Sequence, residues 1–189
     1  MSLREVARRA GVSHGAPAHH FPTKQALLAA YAAQSFEGLV SAIQDRIMRT
    51  TIRDPRDVLM CIGDGYIAYA TENPARFEMM FRRDLFDIES ADFREPSERA
   101  WSLLHTTALA MAESGLLTPE QARMLAVTCW SMVHGFASLW NTGWLGEKLA
   151  TDEPGALSHQ MNLFATFGLA TDRGYAGTPP REGVSGTSD

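Results

Sequence analysis

Ser2-Leu-Arg-Glu-Val-Ala-Arg-Arg-Ala-Gly11-Val-Ser13-His-Gly-Ala-Pro-Ala-His-His-Phe21-Pro-Thr-Lys24-Gln-Ala-Leu-Leu28 is the stretch that decides the fold. Ser2 and Glu5 form the pattern Ser-x-x-Glu, which predicts a capping box and a helix starting at Leu3. Leu3, Val6, Ala7 and Ala10 fall on one apolar stripe of that helix, and Arg4, Arg8 and Arg9 point elsewhere. Gly11 supplies the left-handed residue that ends it. Ser13 is a candidate second N-cap, so a second short helix is expected from His14 to about Phe21. Pro22 breaks that helix and Thr23 caps a third. Two short helices joined through Gly11-Val12-Ser13 describe a helix-turn-helix spanning Ser2 to Phe21.

In such a unit the second helix enters the DNA major groove while the first lies across the backbone. His14, His19 and His20 are donors able to reach base edges or phosphates. Small residues at Gly15 and Ala16 let the helix come close to the bases, and its free N–H groups suit a phosphate. Arg4 and Lys24 would flank as phosphate clamps. The hydroxyls of Ser2, Ser13 and Thr23, at the three helix starts, complete the expected DNA-contacting set.

The charge supports this division. The chain has 189 residues and a net charge of −5, which by itself argues against general nucleic-acid binding. Yet residues 1–24 hold Arg4, Arg8, Arg9 and Lys24 against Glu5 alone, so the acidity lies entirely in the rest of the chain. A basic head on an acidic body is the asymmetry a nucleic-acid contact needs. The composition is globular, with 45% hydrophobic and 21% charged residues. No run of about 18 apolar residues occurs, so no membrane span is expected. No signal peptide is visible, and Cys61 and Cys129 stand alone in apolar contexts, which fits a reducing compartment; cytoplasm is the expectation.

Beyond Thr23, helical spacing dominates and strand signals are scarce. A long helix is expected from Lys24 to about Arg49, with Leu28, Ala32, Phe36, Leu39, Ile43 and Ile47 on one face. Another starts at Pro55, striped by Val58, Ile62, Tyr66 and Tyr69. A shorter one is expected from Ala75 to about Phe86. Pro96 is expected in the first turn of a helix reaching Ser114, with Trp101, Leu104, Ala108 and Met111 inward. Thr118-Pro119 opens the next, and Gly143 and Gly146 loosen the chain after it. A last helix is expected from Pro154 to about Asp172. The fold class is all-α: a short helix-turn-helix head (residues 1–30), a multi-helix body (31–172) and a disordered tail (173–189).

The quoted head resembles the helix-turn-helix of the tetracycline-repressor (TetR) family, through the Ala10-Gly11-Val12-Ser13 turn, the His20-Phe21 end and Lys24 before Leu27-Leu28. In the body, Trp130-Ser-Met-Val-His134-Gly135 is similar to the Trp-x-x-x-His-Gly signature of one C-terminal subclass, the WHG type. The resemblance implies a homodimeric transcription regulator, a repressor, that binds a palindromic double-stranded operator and releases it when a small molecule enters the body. It implies a four-helix dimer interface from the last two long helices, where Val133, Ala137, Trp140, Met161, Phe164 and Phe167 exceed what one protomer can bury. It also implies an effector pocket, with Tyr66, Met80, Phe81, Trp101, His105, Trp130 and His134 as the candidate ligand-binding residues. Met60, Met79, Met80, Met111, Met124 and Met132 concentrate in the middle helices, as core or as adaptable pocket lining. Two departures stand out. Ala18 occupies a position where the family usually has an aromatic, which implies the loss of one phosphate contact. The family also has a helix ahead of the one starting at Leu3, so the expected start lies upstream, or the head is a truncated reader.

Other chemistries fit less well. Gly11-x-Ser13-x-Gly15 matches a nucleophile elbow, but that motif needs a strand before it and a sheet around it. The spacings of His14, His19 and His20 are five and one, which do not suit a metal site on a helix, and no cofactor motif occurs. No paired carboxylates, nucleophile–base set or phosphate loop emerges, so no catalytic residue is named and no enzyme is expected. His134 and His105 each read either as satisfied core histidines or as ligand contacts. The competing class is a dimeric, small-molecule-binding helical protein with a vestigial head.

Overall fold

The computed structural model describes residues 2–13 and 15–168. Among them the chain forms α1 (Leu3–Ala10), α2 (Ala16–His20), α3 (Lys24–Arg49), α4 (Pro55–Glu72), α5 (Pro74–Met80), α6 (Ala91–Glu113), α7 (Pro119–Asn141), α8 (Trp144–Leu149) and α9 (Pro154–Leu163), followed by a π-helical turn at Phe164–Gly168. The described residues contain no strand. The expected tail, His14 and the end of the last helix lie outside them.

α4 is the centre. It packs against α3, α5, α6, α7 and α9, and Leu59 through Ile67 are buried without interruption. Gly63 and Gly65 make that crowding possible: a Cβ on Gly65 would stand 3.0 Å from Ile43 of α3, and one on Gly63 would stand 2.7 Å from Asn162 of α9. α3 covers one side with Ala32, Phe36, Leu39 and Ile43 buried as its stripe predicts. By length and composition α3 could cross a membrane, but that buried face makes it a core helix of the bundle. Residue 30 lies within α3, so head and body are joined by continuous helix and not by a linker.

Several boundaries follow their caps. The Thr23 hydroxyl accepts from the Ala26 N–H at 3.0 Å, and Asp54 accepts from Arg56 N–H at 2.7 Å. Thr118 and Gln121 form a reciprocal capping box at the start of α7. Gly115, at φ +76°, closes the turn after α6.

Others differ from the sequence expectation. α2 begins at Ala16, not His14, and its N-cap is Gly15, not Ser13. A cap at Ser13 would make Pro17 the fourth helical residue, whose N–H is needed; the cap at Gly15 puts the proline in the first turn, where none is. The helix after Asn73 stops at Met80, not near Phe86. Beyond it Arg82 pairs with Asp84 at 2.8 Å and tight turns bury Phe86. α6 starts at Ala91 and carries Pro96 inside it. The carbonyl this orphans belongs to Asp92, an exposed residue. Gly143 does not loosen the chain; at φ +84° it turns it directly into α8. Val133 and Ala137, expected on a dimer face, are core of the protomer. The exposed apolar residues of this end include Val127, Leu139, Trp144, Leu163 and Phe164, the last 78% accessible.

Candidate DNA-reading head and ligand cavity

The head is built on the turn at Gly11. Its φ of +69° lets Val12 N–H bond back to the Ala7 carbonyl at 3.1 Å, while Gly11 N–H bonds to the Arg8 carbonyl at 3.3 Å. This double bond is a Schellman closure. At the other end of α1 the Ser2 hydroxyl accepts from Glu5 N–H at 3.3 Å. Only that half of the expected capping box forms. The Glu5 carboxylate turns instead to Arg8, at 2.8 and 3.0 Å, and to Arg9, at 2.9 Å. Charge-assisted bonds to two guanidiniums outweigh one backbone N–H. They hold the Glu5 carboxyl below its ordinary pKa, with Arg8 the larger cause.

That pairing sorts the cations of the head. Arg8 and Arg9 are engaged with Glu5. Arg4 and Lys24 are exposed and carry no ion pair with the described residues. Ser2, Ser13, Gly15, His19, His20 and Thr23 are exposed, and Ala16 is half-buried. Ser2 and Thr23 spend their hydroxyls as helix caps. Ala7 is fully buried, Leu3, Val6 and Phe21 are half-buried, and Val12 is 48% exposed. His14 lies outside the described residues.

The body holds an open-mouthed cavity of about 630 Å³ between α3, α4, α6, α7 and α9, within the usual size of small-molecule sites. Tyr66, Met80, Phe81, Trp101 and Trp130 of the expected set line it. His134 and His105 stand behind the wall. His105 stacks on Trp101 with ring centroids 5.8 Å apart. His134 packs its ring against Phe81 at 4.5 Å and Phe77 at 5.2 Å. Its Nδ1 lies 3.0 Å from the Tyr66 hydroxyl. Burial pushes the Tyr66 phenol well above its ordinary pKa, with the Trp130 indole beside it pulling the other way. Burial pushes the His134 imidazole down. The neutral ring bonds the Tyr66 hydroxyl through Nδ1, as acceptor or as donor according to its tautomer. His134, one helical turn from Trp130 on α7, thus ties α7 to the Tyr66 hydroxyl of α4. Of the six methionines singled out in the middle helices, Met80 and Met132 line the cavity. Met111 and Met124 line a second hollow of about 170 Å³, which shares Thr166 with the cavity.

One cluster escaped sequence reasoning. Asp64, 7% exposed, accepts from Arg46 of α3 at 3.0 Å, pairs with His159 Nδ1 at 2.7 Å and accepts from Asn162 Nδ2 at 2.7 Å. Asn162 also lines the cavity. The available signal was Gly63-Asp64-Gly65: an acid between two glycines inside an apolar helix, where close approach of a neighbour is the reason for glycine.

Two stretches of the chain match known families. Residues 1–31 match the family described as bacterial regulatory proteins, tetR family. Residues 59–163, more than half the chain, match the tetracyclin repressor-like C-terminal domain. The chain belongs to the tetR family of bacterial regulatory proteins. Among curated relatives, the HTH-type transcriptional regulator BetI of Yersinia pestis is 34% identical over 64 residues, 34% of this chain. The match spans only 32% of the length of that relative. A protein of unknown function from Rhodococcus sp. RHA1 superposes with a TM-score of 0.75 at 25% identity, covering 90% of this chain and 85% of that one. PfmR, a TetR family transcriptional regulator from Thermus thermophilus, gives 0.67 at 17% identity, covering 88% of each chain, and shares the fold.

Proposed function

We propose that this chain is a cytoplasmic transcription regulator, a homodimeric repressor whose two heads read half-sites of a palindromic double-stranded operator and let go when a small molecule enters the cavity. The observation that carries this reading is α3. It starts at Lys24, an exposed cation of the head, and contributes Phe36 and Ile43 to the cavity wall. About 18 to 28 Å of unbroken helix therefore joins the DNA-facing end to the ligand site. A ligand that favours one position of α3 favours one spacing of the heads, which is linkage between two sites. A coupling of about 1–3 kcal/mol changes operator affinity roughly 5–150-fold.

The head is the unit at residues 1–30 and the body the unit at 31–172. Dimerisation is supported by exposed apolar residues of α7 to α9 and the π turn, among them Val127, Leu139, Trp144, Leu163 and Phe164. Such a patch calls for a partner surface, and a symmetric copy supplies one. Arg4 and Lys24 act on phosphates, and His19 and His20 face the groove.

The test is a titration of duplexes selected from a random library, with the wild type and two variants. Lys24→Ala weakens binding for all sequences alike and lowers the salt slope by about one. His19→Ala changes which sequences are preferred. Normal binding by both variants removes the head as the reader. A second reading is a helical dimer that binds a small molecule and no DNA. It draws on the pairing of Arg8 and Arg9 with Glu5 and the net charge of −5. A stable dimer with no salt-dependent DNA binding selects it.

A further inference from the structure

The cavity is almost wholly apolar in its depth, and its charges sit at the mouth. Arg83, Glu89, Arg94 and Glu98 line it but are exposed, and Arg94 pairs with Glu98 at 3.1 Å. An anion carried past them would be stripped of water with no buried cation in the lining to meet it, and the one buried carboxylate nearby, Asp64, is already paired with Arg46.

The far end differs. Asn162, 3% exposed, and Thr166, also 3% exposed, line the cavity there. The direction of the Asn162 amide is fixed by chemistry. The Asp64 carboxylate only accepts, so the group 2.7 Å from its Oδ1 is the Asn162 NH₂. That leaves Asn162 Oδ1 as an acceptor with no hydrogen bond from the described residues, and Thr166 Oγ1 is equally free. A Cβ on Gly63 would lie 2.7 Å from Asn162 Oδ1, so the carbonyl rests over the one residue type that leaves it room. Gly63 lines the cavity too. Asp64 is itself pinned by Arg46 and His159, which keeps the amide from swinging away. Donation to a carboxylate polarises the amide and makes Oδ1 a stronger acceptor. The π turn at Phe164–Gly168 brings Ala165 and Thr166 to the same spot, and such turns occur often at functional sites.

We propose that the cavity takes an uncharged, largely apolar, aromatic-sized molecule with a hydrogen-bond-donating hydroxyl or N–H at its inner end, read by Asn162 Oδ1 and the Thr166 hydroxyl. This rests on the reading of the cavity as the effector site. A molecule without the donor leaves a buried acceptor unpaired, which is how such sites discriminate.

The experiment is calorimetric titration of the full chain with three probes of one shape: para-phenylphenol, para-fluorobiphenyl and biphenyl carboxylate. The phenol is expected to bind about tenfold tighter than the fluoro compound, the cost of one unmade hydrogen bond, and the carboxylate most weakly. Asn162→Leu and Thr166→Val each bring the phenol toward the fluoro compound and leave the latter unchanged. Thr166→Val does not touch the Asp64 cluster, so it decides the matter if Asn162→Leu fails to fold. Equal affinity for phenol and fluoro compound, the tightest binding by the carboxylate, a preference that survives in the folded variants, or no binding of any probe overturns the assignment. Salt-dependent DNA binding that persists alongside such a result leaves the regulator reading standing.

Discussion

Gly63→Ala places a methyl where the structure has none to spare. The new Cβ would stand 2.7 Å from Asn162 Oδ1 and 2.8 Å from its Cγ and Nδ2. Ordinary contact begins near 3.4 Å, so the amide must retreat by roughly 0.7 Å. It cannot do so and keep its 2.7 Å bond to Asp64. Losing one donor from a buried carboxylate costs about 1–3 kcal/mol, and overpacking between two helices costs about 1–3 kcal/mol more. Alanine's better helix propensity offsets about 1 kcal/mol. The net is about 3 kcal/mol of destabilisation, a fall in melting temperature of about 6–12 °C for a chain of this size. Gly155→Ala is the control, because a Cβ there meets nothing within 4 Å. It should leave the melting temperature level or slightly raised. Thermal unfolding followed by circular dichroism reads both. In the double variant Gly63→Ala/Asn162→Ala the two effects should sum to less than their separate values, since each removes the same bond. A Gly63→Ala protein that melts where Gly155→Ala does would refute the packing argument.

Three further outcomes follow from burial and pKa. His134 has its folded pKa pushed below the ordinary imidazole value of 6.5, with burial as the cause. Its contribution to stability is therefore present above about pH 6.5 and lost as pH falls through the lower folded value, because the unfolded chain takes up the proton first; His134→Gln should flatten that part of the stability–pH curve. Met111 is fully buried, so Met111→Ala should cost about 2–5 kcal/mol in urea unfolding with the slope unchanged. Burial pushes the Cys129 thiol up to about 11, so a thiol reagent at neutral pH should label the folded protein far more slowly than the unfolded chain.

The parts of this fold written in neighbouring residues were legible. Gly11 as a left-handed stop and Thr23 as a cap are local chemistry, and the structure keeps both. The stripe through Ala32, Phe36, Leu39 and Ile43 needs only the helical period. Errors arose where one local signal met another. Ser13 looked like a cap, but Pro17 decided where α2 could begin. Pro96 looked like a start, but the helix had begun five residues earlier. The cavity's polar end was illegible for a different reason. Asp64 and Asn162 are 98 residues apart, and Tyr66 and His134 are 68 apart. No spacing rule links such pairs; only the packing of α4 against α7 and α9 does. Five of the seven proposed ligand residues line the cavity, while the two histidines stand behind aromatic rings.

The central claim is that the head reads duplex DNA. Its most direct test is the affinity of the purified chain for a library-selected duplex, measured by fluorescence anisotropy across a series of salt concentrations. The account predicts a selected palindrome with half-site centres about one helical turn apart, and log affinity falling linearly with log salt. Failure to enrich any sequence, with affinity flat across the salt series, would contradict it.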